Sequence, residues 1–288
     1  MTNVNLYQAI DLLKAGECVA FPTETVYGLG ATLCPKAIQT IYSLKNRPAD
    51  NPLIVHVGST EMALELMEDV PEHFRALSEA FWPGPLTIVV KKKKEIPEAV
   101  CPLPTIAIRM PKHPIALELI KAVGPLVAPS ANISTRPSPT LAAHVRADFP
   151  ELPILDGGPC EHGLESTVIS LIDNQLLRPG AIPIEVIENQ LDVKFPKAQG
   201  STASPGTRYR HYAPSVPLKL YHSYEEYQAD PNRYPSIIST ITLPIAYIKI
   251  DSKNLYRVLR DLYQPTAVIC STDNQALRDR IERATFPC

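Results

Sequence analysis

Lys45 and Arg47, two positions apart, open the part of the sequence that can do chemistry, with Thr23, Glu24 and Thr25 before them and Ser130-Ala131-Asn132, Ser138, Ser166 and Arg178 after. These types suit one kind of site. Recognition of phosphate and carboxylate needs arginine forks, lysine point charges, hydroxyls and free backbone N–H groups. Arg109 adds a guanidinium at the end of the apolar, β-branched run from Thr105 to Met110. A buried arginine without a partner is costly, so either Glu24 or the carboxylate of a ligand must face it. Other chemistries are excluded. No G-x-x-x-x-G-K-[ST] loop and no nucleophile elbow occur, and Gly28-x-Gly30 alone does not make a dinucleotide site. Without a His-x-x-His or His-Glu-x-x-His pattern no dedicated metal site is expected, and a divalent ion would arrive bound to a nucleoside triphosphate.

The elements that must position these groups follow from the hydrophobic pattern. Leu6, Ile10 and Leu13 fall at helical spacing and Gly16 stops that helix. The apolar run Cys18 to Phe21 reads as a buried strand that gives out into Pro22-Thr23-Glu24-Thr25, and loops at such strand ends carry function in α/β folds. Pro35 opens a helix with Ile38, Ile41 and Tyr42 on one face, which delivers Lys45 and Arg47. Leu53 to Val57 returns as a strand that sets His56 among apolar neighbours. The pattern then predicts helices around 61–68 and 72–80, a strand at 86–90, a helix at 117–123 closed by Gly124, and a strand at 126–128 that ends in Pro129-Ser130-Ala131-Asn132. Ser138-Pro139-Thr140 is expected to cap a helix through His144 and Val145, with further strands at 152–155, 164–168 and 176–178. This alternation, without an internal repeat, predicts one α/β domain over 1–193 with a mixed, twisted sheet and flanking helices. Residues 194–214 are rich in Ser, Gly, Pro and Thr as a linker is, yet they concentrate Arg208, Tyr209, Arg210, His211 and Tyr212 behind a Pro205-Gly206 hinge. Strand-like runs at 218–221, 245–250 and 267–270 with helical runs at 256–262 and 275–284 predict a small second α/β domain over 215–288.

Composition narrows the function classes. With 288 residues, 45% hydrophobic and 20% charged, the chain has room for one large domain and a small one. A net charge of −2 provides no broad electrostatic footprint for nucleic acid, so any anion site is a local cluster and direct tRNA binding is expected to be weak or absent. The four lysines Lys91 to Lys94 read as a solvated hairpin end. Six cysteines without a C-x-x-C pair support neither a zinc cage nor a disulfide framework. That usage, with no leader pattern and no apolar run of membrane-spanning length, predicts a cytoplasmic protein without membrane contact.

The stretch FPTETVYGLGATLCPKAIQTIYSLKNRPADNPLIVHV, with Lys45-x-Arg47 followed far downstream by Ser130-x-Asn132, resembles the threonylcarbamoyl-AMP synthase family and its YrdC-type domain. Further blocks match in order: PGPLTIVV at 83–90, IAIRMP at 106–111, APSANIS at 128–134, LESTV at 164–168, LRPGAI at 177–182 and SPGTRYRHYAP at 204–214, the last implying the long, two-domain form with a Rossmann-like C-terminal domain. The resemblance implies condensation of L-threonine, bicarbonate and ATP to threonylcarbamoyl-adenylate with release of pyrophosphate. The product serves modification of an adenosine beside the tRNA anticodon by a downstream threonylcarbamoyl transferase complex. It also implies roles: Lys45 and Arg47 catalytic; Thr25, His56, Arg109 and Ser166 on threonine, with Arg109 on its carboxylate in preference to Glu24; Arg47, Asn51, Thr105, Ser130, Asn132, Ser138, Arg178 and His211 on ATP. Residues 204–214 are then expected to fold over the nucleotide as a lid. The alternative function is an RNA-binding module with a basic concave face. A third, the carbamoyl-transferase maturation enzymes, requires acylphosphatase and zinc-finger regions that have no place in this chain.

Overall fold

In the computed structural model, residues 3–48, 50–198 and 212–285 are described. The first part of the chain runs α1 (Leu6–Lys14), β1 (Val19–Phe21), β2 (Gly28–Thr32), α2 (Pro35–Lys45), β3 (Ile54–His56), α3 (Thr60–Leu64), α4 (Phe74–Phe81), β4 (Leu86–Lys91), β5 (Thr105–Arg109), α5 (Pro114–Val123), β6 (Leu126–Val127), α6 (Ala142–Asp148), β7 (Thr167–Ser170), β8 (Gln175–Arg178) and α7 (Ile184–Leu191). Its strands form one eight-stranded sheet in the order β1-β2-β6-β3-β5-β4-β7-β8. The sheet is mixed: β3 pairs parallel with β5 and β4 with β7, and the other neighbours are antiparallel.

The pleat decides which side chains reach the site. In β5, Ile106 and Ile108 enter the main core with Ile88, Val127 and the helix residues Ile38, Ile41, Phe74 and Leu77, while Ala107 joins Ile54, Val89, Val168 and Leu177 on the opposite face. Period-2 alternation therefore puts Arg109 on the face of Ala107. The register pairs Ile54 with Ala107 and His56 with Arg109, so imidazole and guanidinium stand side by side there. Behind β1, α1 and α5 bury Ala9, Leu13, Ala116, Leu119 and Ile120 against Val19 and Phe21. A capping box between Asn5 and Gln8 starts α1, and Pro114 at the first turn starts α5.

The second part runs β9 (Leu218–Tyr221), α8 (Tyr224–Ala229), β10 (Ser236–Ser239), β11 (Ile248–Lys249), α9 (Leu255–Asp261), β12 (Thr266–Ile269) and α10 (Gln275–Thr285). Its four strands are all parallel in the order β11-β10-β12-β9. The α/β expectation, with a mixed sheet followed by a small α/β unit, is what the chain adopts.

Several elements differ from the sequence reading. The strand expected at 152–155 is reduced to single bridges from Ile154 to Asn3 and Ala20. The strand expected to begin at Leu164 begins at Thr167, because Glu165 and Ser166 turn their side chains to other partners. Ser138 caps no helix: α6 starts at Ala142 without a side-chain cap, and the Ser138 hydroxyl is spent elsewhere.

Candidate active site

Loops at the ends of β1, β3, β5, β6 and β8 converge on one cavity of about 690 Å³ including its open mouth. Among its lining residues are Thr23, Thr25, Arg47, His56, Arg109, Ser130, Asn132, Arg136, Ser138, Glu165, Ser166, Arg178 and Tyr212.

The turn after β1 is held by its own hydroxyls. Thr23 Oγ1 donates to the Val26 carbonyl at 2.7 Å and accepts from the amides of Thr25 and Val26 at 3.2 Å. Its only proton is thus committed, so in the 2.9 Å contact between the two hydroxyls Thr25 is the donor. Thr25 therefore turns its lone pairs to the cavity, as a subsite for an amine or hydroxyl requires.

Glu24 follows another course. Its Oε1 pairs with Arg109 Nη2 at 2.6 Å, both side chains buried, and its Oε2 accepts from the Lys112 amide at 3.0 Å. Glu24 is thus one partner of Arg109, whose side chain also lines the cavity. Beside this pair His56 is buried and its Nδ1 has no hydrogen-bond partner among the described residues. Burial, helped by the Arg109 charge, lowers its pKa to about 3, so the ring is neutral at physiological pH.

On the other side of the cavity, α2 ends at Lys45 and Asn46 takes the left-handed conformation (φ 50°) that turns the chain into Arg47. Lys45 is no surface charge. It is fully buried behind the wall, and its ammonium donates to the carbonyls of Ser130 and Asn132, both at 2.5 Å. Burial, then the neighbouring Arg47, holds its pKa well below the ordinary lysine value. Arg47 is half-buried; it donates to the carbonyls of Asn51 (3.2 Å) and Pro52 (2.8 Å), and burial lowers its pKa to about 10, with Arg178 adding repulsion. Arg178 in turn donates to the Ser166 carbonyl and to Ser166 Oγ (3.1 Å). Two desolvated arginines held this close make a place for an anion. The Asn132 amide donates to the carbonyls of Ile133 (2.8 Å) and Arg136 (2.9 Å), which leaves its buried Oδ1 unpartnered among the described residues.

All four residues expected on threonine line this cavity, as do Arg47, Ser130, Asn132, Ser138 and Arg178 of those expected on ATP. Lys45 and Asn51 stand just outside its wall, and Asn51 reaches it through its carbonyl to Arg47. Thr105 lies at the far end of β5 from Arg109, opposite Lys91, and does not line it. His211, and with it residues 204–211 of the expected lid, lies outside the described residues.

Sequence reasoning missed Arg136 and Glu165 as lining groups. Glu165 had a readable signal, an acid between an apolar residue and a Ser-Thr pair at a strand entrance. Tyr212, expected in the lid, lines the cavity with a positive φ of 64° and stacks on Tyr256 (5.2 Å between ring centres). Among the described residues, no group of three or more His, Cys, Asp or Glu side chains is placed to hold a metal ion, and no helix is long and apolar enough to cross a membrane.

A mixed sheet whose strand ends and adjoining loops hold four arginines and a row of hydroxyls around one cavity, with a parallel-sheet domain against it, defines an α/β protein of the YrdC type. Residues 11–180 match the Sua5/YciO/YrdC family model, described as telomere recombination, and residues 182–285 match the model for the threonylcarbamoyl-AMP synthase C-terminal domain. The chain is similar to the threonylcarbamoyl-AMP synthases of Pyrococcus abyssi (47% identical, covering 72% of this chain and 65% of the relative) and Bacillus subtilis (45%, covering 77% and 70%). The crystal structure of P. abyssi Sua5 complexed with L-threonine superposes with a TM-score of 0.85 at 33% identity, over 98% of this chain and 96% of that one. The chain belongs to the threonylcarbamoyl-AMP synthase family, in its two-domain form.

Proposed function

We propose that this chain is an L-threonylcarbamoyladenylate synthase, condensing L-threonine, bicarbonate and ATP to threonylcarbamoyl-AMP with release of pyrophosphate. The observation that carries this is the meeting in one cavity of Thr25, His56, Arg109 and Ser166 with Arg47, Ser130, Asn132, Ser138 and Arg178. The likeness to a Sua5 crystallised with L-threonine supports the first group as the amino-acid side.

The chemistry asks for positioning and charge neutralisation. The threonine amine takes up bicarbonate as a carbamate, with loss of water. A carbamate oxygen then attacks the α-phosphate, forming the mixed anhydride and breaking the bond to pyrophosphate. No covalent enzyme intermediate is needed. Arg47 and Arg178 offset the charge that builds on the phosphates, and Arg109 holds the amino-acid carboxylate beside Glu24. Lys45 ties the Ser130–Asn132 turn to the end of α2, and so fixes the hydroxyl and amide that face the nucleotide. Neutral His56 offers an uncharged nitrogen to the substrate hydroxyl or amine. Thr105, Asn51 and His211 belong to the nucleotide side in this reading, and Mg²⁺ arrives with ATP. The adenylate passes to the transferase that modifies tRNA, in the cytoplasm. A lid over 204–214 would keep water from the carbamate and the anhydride.

The test is direct: purified protein with threonine, bicarbonate and ATP, with pyrophosphate and the adenylate measured. Pyrophosphate release that needs both threonine and bicarbonate is expected. Salt-dependent RNA binding with no pyrophosphate would instead favour a binding module.

A further inference from the structure

The small domain reaches into the cavity wall. Glu165, which lines the cavity, is buried, and its carboxylate is held mostly from across the domain interface. The Tyr256 hydroxyl of α9 shares its one proton between both oxygens (2.9 and 2.7 Å), and Arg280 of α10 donates from Nε to Oε2 at 2.9 Å. Arg280 is the largest fully buried side chain among the described residues, with Asp279 on its Nη1 at 2.7 Å and the Tyr212 ring 5.3 Å below its guanidinium. From the large domain the only direct hydrogen bond to the Glu165 carboxylate, among the described residues, comes from Ser138, whose hydroxyl donates to Oε1 at 2.6 Å.

We propose that Arg280 and Tyr256 are positioning residues of the active site: they lock the Glu165 carboxylate against Ser138, so that the Ser138 hydroxyl spends its proton on Glu165 and turns only lone pairs to the ligand. A hydroxyl set this way accepts from a ligand O–H or N–H and repels a phosphate oxygen. Ser138 thus reads a hydrogen-bond donor of the nucleotide, a ribose hydroxyl or a base amine, and the phosphates fall to Arg47 and Arg178. This rests on the nucleotide reading of the cavity given above.

The charges around Glu165 agree with the geometry. Desolvation alone would raise its pKa, but Arg280 and then Arg178 of β8, with the bond from Ser138, bring it down to about 2. Tyr212 and Tyr256, the other titratable groups that face it, have hydroxyl pKa values raised by burial and stay neutral. Without Arg280 the buried carboxylate takes up a proton at a much higher pH. It then becomes a donor itself, and the orientation of Ser138 is lost.

The experiment compares the full chain with Arg280→Met, Arg280→Lys and Tyr256→Phe, measuring KM for ATP and for threonine from pH 6 to 9 and following the ¹³C side-chain signal of Glu165 from pH 4 to 9. In the wild type the signal stays that of a carboxylate throughout. In Arg280→Met a titration step appears inside the window, and KM for ATP rises about tenfold, the worth of one ligand hydrogen bond, and rises further toward acid pH while KM for threonine holds. Arg280→Lys restores most of the loss. Tyr256→Phe, which keeps the ring and removes only the hydroxyl, shows a smaller shift of the same kind and keeps the test open should Arg280→Met fail to fold. Unchanged ATP KM in the folded variants, an equal rise in both KM values, or no Glu165 titration in them would overturn the proposal. A wild type that makes no adenylate would refute the proposed function instead, and the Glu165 titration would still report on the lock.

Discussion

His56 allows a quantitative test, because it is buried, neutral and lacks a partner for Nδ1 among the described residues. Its pKa in the folded chain is about 3, against 6.5 as the ordinary value. The folded state therefore binds fewer protons than the unfolded state between these values, and stability must rise with pH across that window. From pH 7.5 down to 5.0 the unfolded chain gains about 1.5 decades of protonation free energy at this group and the folded chain almost none, so the wild type loses about 2 kcal/mol. His56→Asn removes the titration. Other acid-sensitive groups, such as His144 with its pKa of about 4, are shared by both proteins and cancel in the difference. Urea unfolding followed by the fluorescence of Trp82, the sole tryptophan and part of the large-domain core, should show the wild type losing about 2 kcal/mol more than the variant between the two pH values. Parallel losses would mean that the ring is solvated or charged in the folded protein, and the neutral-imidazole role would fall with it.

Lys45→Met should abolish adenylate formation and also lower stability by about 2 kcal/mol, since two buried carbonyls lose their donor and relief from burying an ammonium offsets only part of that cost. A melting temperature unchanged to within a degree would contradict this. Thr135 is a β-branched, exposed residue at φ 78°; Thr135→Gly should therefore stabilise the chain by roughly 0.5–1 kcal/mol, strain relief outweighing the extra chain entropy of glycine, as calorimetry would show. Gly180→Ala should do the opposite and cost activity, because a Cβ there would lie 2.2 Å from the Ser166 backbone and displace both Ser166 and Arg178; wild-type turnover would refute it. Asn132→Ala should raise KM for ATP more than KM for threonine, and the reverse order in steady-state kinetics would exchange the two sides of the cavity.

Much of this was legible in the sequence because the site lies at strand ends, where apolar runs stop at polar residues. Thr23 to Thr25, Ser130 to Asn132 and Arg109 could be placed that way, and the pleat then puts Arg109 beside His56. What could not be read is long-range pairing. The need of a buried arginine for a partner offered Glu24 to Arg109 without deciding between it and a ligand, and nothing near Ser138 says that its proton goes to Glu165 when a helix cap is the nearer use. Lys45 shows the same limit: nothing at the end of α2 says that the Ser130 turn folds over it and buries it.

The link from Arg280 to Glu165 spans 115 positions of sequence, and a chain is made in one direction. At synthesis rates of about 5–20 residues per second, roughly 6 to 23 s pass between the appearance of the carboxylate and that of the cation that holds it. In the later part of that interval all eight strands of the large sheet have been made while the cavity wall is still unfinished. Nascent chains stalled before α9 should fold around Trp82 yet remain inert, and competence should come only when α10 emerges, so that an unstable product is made only by finished molecules. Active chains stalled before residue 280 would show that no such delay exists.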